Sequence, residues 1–473
     1  MQFSLTTQTA SLSVGEFSDF SLGPREGGGG SAGLWRAQLG QHWHNELRAQ
    51  TERSHTRDGV LASDVAFEIP IEGRLVHRGW TLSLGGRIDQ LVGTTLREIK
   101  TVTRPLPADE AELRADYGSY FLQLATYVVL ARNSNLPGGR RSIVAANSSA
   151  LRAELIFVEA ASGLSQTLTL TAFDEALVHH QLDAVVEFLE LQLRAAERRH
   201  RLSFHSPFPS LRPGQETIQR DLTTAFHGPS AADQSKIESS PKGLSHRKSN
   251  IVFLEAPTGY GKTGCALEFA LGELKTGHYD RLIWLTGKST GQLQVIETLR
   301  RMTTNAGDLA FWQVRNKGEH CVNVEFHCVR DNCTFLAGAE ERWPGSGLAR
   351  FYRDPSQRHD LDTLRAAGRE ALICPYEITR TALAFNDVWI GDYNYVFAPD
   401  NRGLFFDQPG FDAARTLLVI DEAHNLPSRV ADAYSHTAHD RDVRALLAEL
   451  DHQRAPTPLV LAVETWARTL ASV

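Results

Sequence analysis

Cysteine is scarce in this chain. Five residues in 473 are Cys265, Cys321, Cys328, Cys333 and Cys374, too few and too unevenly placed for a disulfide framework. A surplus of positive charge is also missing. The formal net charge is −7, so any nucleic-acid binding must use local basic surface. No stretch approaches the apolar length needed to span a bilayer. The first residues, MQFSLTTQTASLSV, have neither a basic flank nor an apolar centre, so no secretory signal is read there. These absences lead to the expectation of a soluble, cytoplasmic protein without a membrane partner. No internal repeat is found. What is present is an ordinary globular composition, 42% hydrophobic and 22% charged, sufficient for large cores. The length allows about two to four domains.

Composition shifts divide the chain. The run EGGGGSAG at 26–33 reads as a flexible loop, and residues 33–200 alternate helical and strand-like patterns. Over 172–200, Leu177, Leu182, Val185, Val186, Leu189, Leu191 and Leu193 precede the basic run RAAERRHR. This predicts an amphipathic helix with a solvated, cationic end. Residues 204–216, FHSPFPSLRPGQE, are Pro-rich and aromatic, and the following Ser-rich HGPSAADQSKIESSPKGLSHRKSN reads as a loop or disordered insertion. From 250 onward, strand and helix patterns alternate as in a parallel α/β sheet.

Two segments form the halves of a nucleoside-triphosphate site. Residues 253–263 read FLEAPTGYGKT, an apolar strand running into a Gly-rich turn that ends in Lys-Thr. Such a turn, spanning Thr258, Gly259 and Gly261, aims backbone N–H groups at phosphate, and the next helix adds its positive end. Lys262 would reach the β/γ-phosphates and Thr263 would hold Mg²⁺. Ala256 stands where the strict pattern has its first Gly. Residues 417–424 read LLVIDEAH, a strand ending in Asp421 for the Mg²⁺ side and Glu422 to activate water. Between these halves lie Cys321, Cys328, Cys333 and Cys374; four thiolates suit either tetrahedral zinc or an iron–sulfur cluster. Cys265, on the helix after the Gly-rich turn, reads as a small buried packing residue.

The N-terminal third carries a second constellation. Residues 85–100, GGRIDQLVGTTLREIK, predict two strands around a turn at Gly93-Thr94. With a two-residue loop, Asp89 faces Glu98, two carboxylates whose repulsion a divalent cation would remove. Glu98 and Lys100 share one face while Ile99 points to the core. Acids holding Mg²⁺ beside a lysine that orients water make a metal-dependent phosphodiester hydrolysis site. A salt-bridged exposed surface is the bland alternative. GQHWHNEL (40–47) places His44 early on a helix, and Gln123 and Tyr127 stand one turn apart in QLATY (123–127).

In this order, the Gly-x3-His-x2-Leu pattern, Asp…Glu-x-Lys and QLATY resemble the RecB-like branch of the PD-(D/E)XK nucleases over about residues 30–160. The resemblance implies His44, Asp89, Glu98 and Lys100 as metal and catalytic residues binding Mg²⁺ or Mn²⁺, with Gln123 and Tyr127 in an accessory motif. EAPTGYGKT, TGKSTGQLQVI (286–296), EHCVN (319–323), CPYEITR (374–380), DVWIGDYNYVF (387–397) and VIDEAH (419–424) likewise resemble the XPD/DinG-type iron–sulfur DEAH-box helicases of superfamily 2. This second resemblance covers roughly residues 204–430. It implies adenine contacts from Arg212 and Gln215 of RPGQ, a [4Fe–4S] cluster on Cys321, Cys328, Cys333 and Cys374, and 5′→3′ movement on single-stranded DNA.

The expected fold class is therefore α/β: a mixed-sheet nuclease domain over 1–200, then a RecA-like parallel lobe over 204–473 with an iron–sulfur insertion over 312–380. The expected activity is ATP-dependent DNA helicase and nuclease action on single-stranded or junction-containing DNA, in repair, recombination or defence. An ATP-switched DNA-binding module without unwinding, with an independent or degenerate nuclease domain, is the alternative, and RNA is a second alternative substrate. The chain stops about fifty residues after the DEAH box, so a second motor lobe is expected from a missing C-terminal part or a partner chain.

Overall fold

A computed structural model describes residues 1–24, 43, 45–49, 51–53, 65–133, 151–228, 251–257, 259–305, 307–453 and 455–472. His44, Thr258 and both Gly- and Ser-rich loops lie wholly or mainly outside them. Two sheets organise the described chain. The first has seven strands: β1 (Gln2–Ser4), β2 (Thr9–Ser13), β3 (Val65–His77), β4 (Trp80–Val92), β5 (Thr95–Val102), β6 (Arg152–Glu159) and β7 (Ser165–Thr169). Their order is β1-β2-β4-β5-β6-β7, with β3 also paired to β4. The sheet is mixed: β4 and β5 are antiparallel, while β5 and β6 run parallel in register Glu98↔Leu155.

A parallel neighbour requires a crossover. It contains α1 (Glu110–Asp116) and α2 (Gly118–Asn133). The apolar side of α2, including Phe121, Leu124 and Tyr127, packs with Trp80, Leu82, Ile88 and Phe157 into one core. The helix expected over 172–200 is α3 (Ala172–His200), opened by a capping box between Thr171 and Asp174.

The second sheet has four parallel strands in the order β11-β8-β10-β9: β8 (Arg281–Leu285), β9 (Phe311–Gln313), β10 (Val388–Gly391) and β11 (Thr416–Ile420). Both faces of β8 are buried, Leu282 and Trp284 toward one core and Ile283 and Leu285 toward another. This explains its uninterrupted apolar run. The helices α4 (Gln215–His227), α5 (Lys262–Thr276) and α6 (Ser289–Met302) flank β8 in sequence. The excursion between β9 and β10 holds four cysteines. Among the described residues no helix is long and apolar enough to cross a membrane.

Two expectations require correction. The run before the Gly-rich turn forms no strand over 251–257, and Phe253 is 90% exposed although Val252 packs on the core. Apolar character suits a strand, but a strand exists only where ladder partners form. The basic end of α3 is solvated only in part: Arg194 and Arg201 are exposed, but the two arginines between them are docked. Arg198 and Arg199 donate to Asp387 at 2.8 and 2.9 Å, and Arg199 and Asp387 are buried. Gln192 Nε2 donates to the Ala384 carbonyl, and the Phe188 and Phe385 rings meet at 6.0 Å. The end of α3 thus docks on the segment leading into β10.

Candidate functional site

The β4–β5 turn has the two-residue loop expected, with Val92 opposite Thr95 and Gly93 at φ 57°. The ladder runs to Gln90↔Arg97. Beyond it, Asp89 Oδ2 accepts from the Ile99 N–H at 2.7 Å, a side chain standing in for a backbone acceptor. Glu98 is not on an exposed face. It is 3% exposed and walled in by α2, because β5 is buried on both sides.

Four groups converge on Glu98. Lys100 Nζ and Gln123 Nε2 each donate to its Oε1 at 3.0 Å. Gln123 Nε2 lies 3.4 Å from the Tyr127 hydroxyl. Burial pushes the Glu98 carboxyl up to about 7, opposed by Lys100 and reinforced by the charge of Asp89. Burial works against the charge on Lys100, but Glu98 outweighs it and holds the ammonium above its ordinary value. Glu98 Oε2 is buried and, among the described residues, has no hydrogen-bond partner. A buried carboxylate oxygen left in this way is costly unless a cation meets it. Hard carboxylate oxygens suit Mg²⁺ or Mn²⁺, so the donor set fits such an ion.

Sequence reasoning missed two residues here. A Cβ on Gly86 would lie 2.7 Å from the Tyr127 ring, so glycine lets α2 approach β4. Tyr120 places its ring 5.0 Å from Lys100 Nζ. Its i, i+3 spacing from Gln123 was the available signal.

The nucleotide motifs converge as well. Gly259 and Gly261 adopt φ 77° and 93°, and α5 begins at Lys262, with Thr263 in its first turn. A Cβ on Gly261 would lie 2.7 Å from Phe208, and one on Gly264 2.5 Å from it, so the aromatic Pro-rich stretch backs the turn. Arg212 Nη1 donates to the Gly259 carbonyl at 2.6 Å, and Gln215 Nε2 to the Tyr260 carbonyl at 2.7 Å. Gln215, fully buried, also accepts from the Arg212 N–H. Lys262 Nζ donates to the Ala256 carbonyl at 2.7 Å and must leave it to reach a phosphate.

Asp421 continues the ladder past β11 by donating its N–H to the Leu285 carbonyl. Burial and the charge of Glu422 raise its carboxyl, and the charge of Lys262 opposes them, so the two halves sit within electrostatic reach. Glu422 adopts φ 53°, a left-handed conformation uncommon outside glycine and frequent at functional turns. The Tyr393 hydroxyl donates to the Asp421 carbonyl at 2.5 Å and pins this turn.

The thiols come together less completely. Cys374 N–H donates to the Phe335 carbonyl, and Asn323 Nδ2 lies 3.4 Å from Cys333 Sγ. Burial pushes the Cys374 thiol up to about 11, and Cys328 contributes to the rise. Cys321 caps the short helix Lys317–His320. Among the described residues no three of these thiols lie within 4.8 Å of one another. Tetrahedral zinc would hold its sulfurs about 3.8 Å apart; a four-iron cluster spaces thiolates farther, because each ligates a different iron. Cys265 is buried, as its packing reading requires.

The DEAD_2 family model matches residues 297–443, which hold the four cysteines and the DEAH box but not the Gly-rich turn before Lys262, the P-loop position. The chain is 27% identical over 186 residues to a regulator of telomere elongation helicase 1 homolog of Oryza sativa subsp. japonica, covering 37% of this chain and 18% of that protein. It is 23% identical over 240 residues to the general transcription and DNA repair factor IIH helicase subunit XPD of Arabidopsis thaliana, covering 43% of this chain and 31% of that protein. The chain thus spans less than a third of the length of these relatives. The solved structure "XPD_Helicase" is 17% identical, covering 51% of this chain and 37% of that one, at a TM-score of 0.33, too low to establish a shared fold. Over the part they share, the chain is similar to XPD-like helicases of superfamily 2.

Proposed function

We propose that the chain joins a metal-dependent nuclease domain of the RecB-like PD-(D/E)XK type, over 1–200, to an ATP-hydrolysing motor lobe of an XPD-like DNA helicase, over 204–473. Single-stranded or branched DNA is the substrate, and repair, recombination or defence the setting. The DEAD_2 match and the helicase relatives support the motor half. The observation that carries the nuclease half is the buried Glu98 Oε2, without a hydrogen-bond partner among the described residues, beside Asp89 and with Lys100 on the same carboxylate.

Asp89 and Glu98 would hold Mg²⁺ or Mn²⁺, with His44 as a third candidate. When bound, the ion supplies charge neutralisation and a more acidic water. Lys100 orients that water and offsets charge at the scissile phosphate, and Gln123 fixes the Glu98 carboxylate. In the motor lobe, Lys262, Gly259, Gly261 and Thr258 would cradle the ATP phosphates, Thr263 and Asp421 would hold Mg²⁺, and Glu422 would orient water. Arg212 and Gln215 would brace the loop and meet the base. Cys321, Cys328, Cys333 and Cys374 would carry a [4Fe–4S] cluster, a set that donor chemistry supports.

The test is a cleavage assay on single-stranded and branched DNA with Mg²⁺, with and without ATP. Metal-dependent cutting by the wild-type chain, absent in Asp89→Asn, is expected. Equal cutting by both proteins would overturn the nuclease reading.

A further inference from the structure

The helix that begins at the P-loop ends beside the C-terminus of α4. There Glu273, on α5, keeps only 9% of its side chain exposed. Glutamate is almost never buried unless paired. Among the described residues its ion-pair partners are two histidines, with neither lysine nor arginine. His227 Nε2, at the end of α4, lies 2.9 Å from both Glu273 oxygens. His278 Nδ1 lies 3.1 Å from Oε2 and 3.0 Å from Thr276 Oγ1. The two imidazoles lie 4.5 Å apart by centroid.

The backbone builds this arrangement. Gly277 ends α5 at φ 74°, and the His278 N–H returns to the Glu273 carbonyl. That turn brings His278 back over the helix it has just left. A Cβ on Gly277 would lie 2.8 Å from His200, so the turn depends on glycine. The three candidate ligand atoms all lie within 4.8 Å of one another. A tetrahedral zinc ion with bonds near 2.0–2.1 Å holds its ligands about 3.3 Å apart. The observed 2.9–3.1 Å separations from Glu273 need to open by only a few tenths of an ångström.

We propose that His227, Glu273 and His278 form a zinc site, with water in the fourth position. Two imidazoles and one carboxylate suit Zn²⁺ better than Mg²⁺ or Ca²⁺, which favour oxygen shells. Each imidazole carries its proton on the nitrogen turned away from the ion. The half-exposed His278 provides the entry path. The site bears on the nucleotide loop. Gln215 at the start of α4 grips the P-loop at Tyr260, and Gln219 Nε2 donates to the Cys265 carbonyl. The ion ties the far ends of the same two helices. It is chemically separate from the cysteine site, which uses thiolates.

Co²⁺ titration of the full chain tests this, followed by competition with Zn²⁺. Imidazole and carboxylate ligands give weak visible bands without the intense thiolate charge-transfer band, so cysteine binding is distinguishable. One equivalent with such bands, displaced by one equivalent of Zn²⁺ and unchanged in Cys321→Ser, is expected. His278→Ala should weaken it by at least about tenfold; should that variant fold poorly, His227→Gln reads the same loss. No bands of imidazole and carboxylate character, bands lost in Cys321→Ser, or undiminished affinity in the folded histidine variants would overturn the site.

Discussion

Glu98 lies on a strand buried on both faces, so its neighbours decide its chemistry. Asp89 has two roles there, a charge beside Glu98 and an acceptor for the Ile99 N–H. These roles separate by substitution. Asp89→Asn keeps the acceptor and removes the repelling charge, so metal-free stability should hold or rise while cleavage is lost. Asp89→Ala also orphans the Ile99 amide and should cost about 1–3 kcal/mol. Urea unfolding in chelator checks both, and equal stability of the two variants would refute the acceptor role.

Among the elements, α3 reaches furthest. Its end places Arg198 and Arg199 on buried Asp387, and Arg281 lies close by, pushed down to about 10 by burial and by the charge of Arg199. Asp387→Ala removes the closest carboxylate from these cations and leaves Arg199 only Asp280 at 3.5 Å, so it should destabilise the protein by about 3–5 kcal/mol. Burial alone would raise the Asp387 carboxyl, but Arg198 and Arg199 outweigh it and hold it below the usual range. A folded pKa below the unfolded one adds stability at neutral pH, lost only as pH falls below about 4. The difference in unfolding free energy between wild type and Asp387→Asn should therefore be flat from pH 5 to 8 and shrink at lower pH. The excursion between β9 and β10 makes a different demand. Among the described residues no three of its thiols lie within 4.8 Å of one another, and burial, with Cys328 contributing, raises the Cys374 thiol. Anaerobically prepared protein should be brown with about four irons per chain, and Cys374→Ser should lose the colour while ATP binding survives. A colourless anaerobic sample holding zinc on the cysteines would refute the cluster.

Across the whole molecule, the two candidate sites occupy different sheets joined through α3. Lys262→Ala should abolish ATP binding, because Lys262 is the proposed phosphate-binding cation and already lies within electrostatic reach of Asp421. Metal-dependent cleavage should remain, because Glu98 and Lys100 lie on the other sheet and Gln123 on the helix packed against it. Nucleotide-binding titrations and cleavage assays on one preparation check both. Nuclease loss equal to that of Asp89→Asn would show that the docked α3 couples the sites.

Local pattern alone determined the turn at Gly93, the 29-residue α3, the parallel central strands and the residue types at both candidate sites. These depend on near neighbours in sequence: turn stereochemistry, hydrophobic period and the Gly-rich phosphate turn. Tertiary structure alone decided that Glu98 is buried rather than a solvated face, because α2 and β6 come from beyond the hairpin. It likewise decided that RAAERRHR meets Asp387, 188 residues away from Arg199, and that Phe253 stays out of the sheet. The meeting of His227 with Glu273 and His278 is of the same kind. Burial, ion pairing and strand pairing require a partner, and the position of a distant partner is not a local property of the chain.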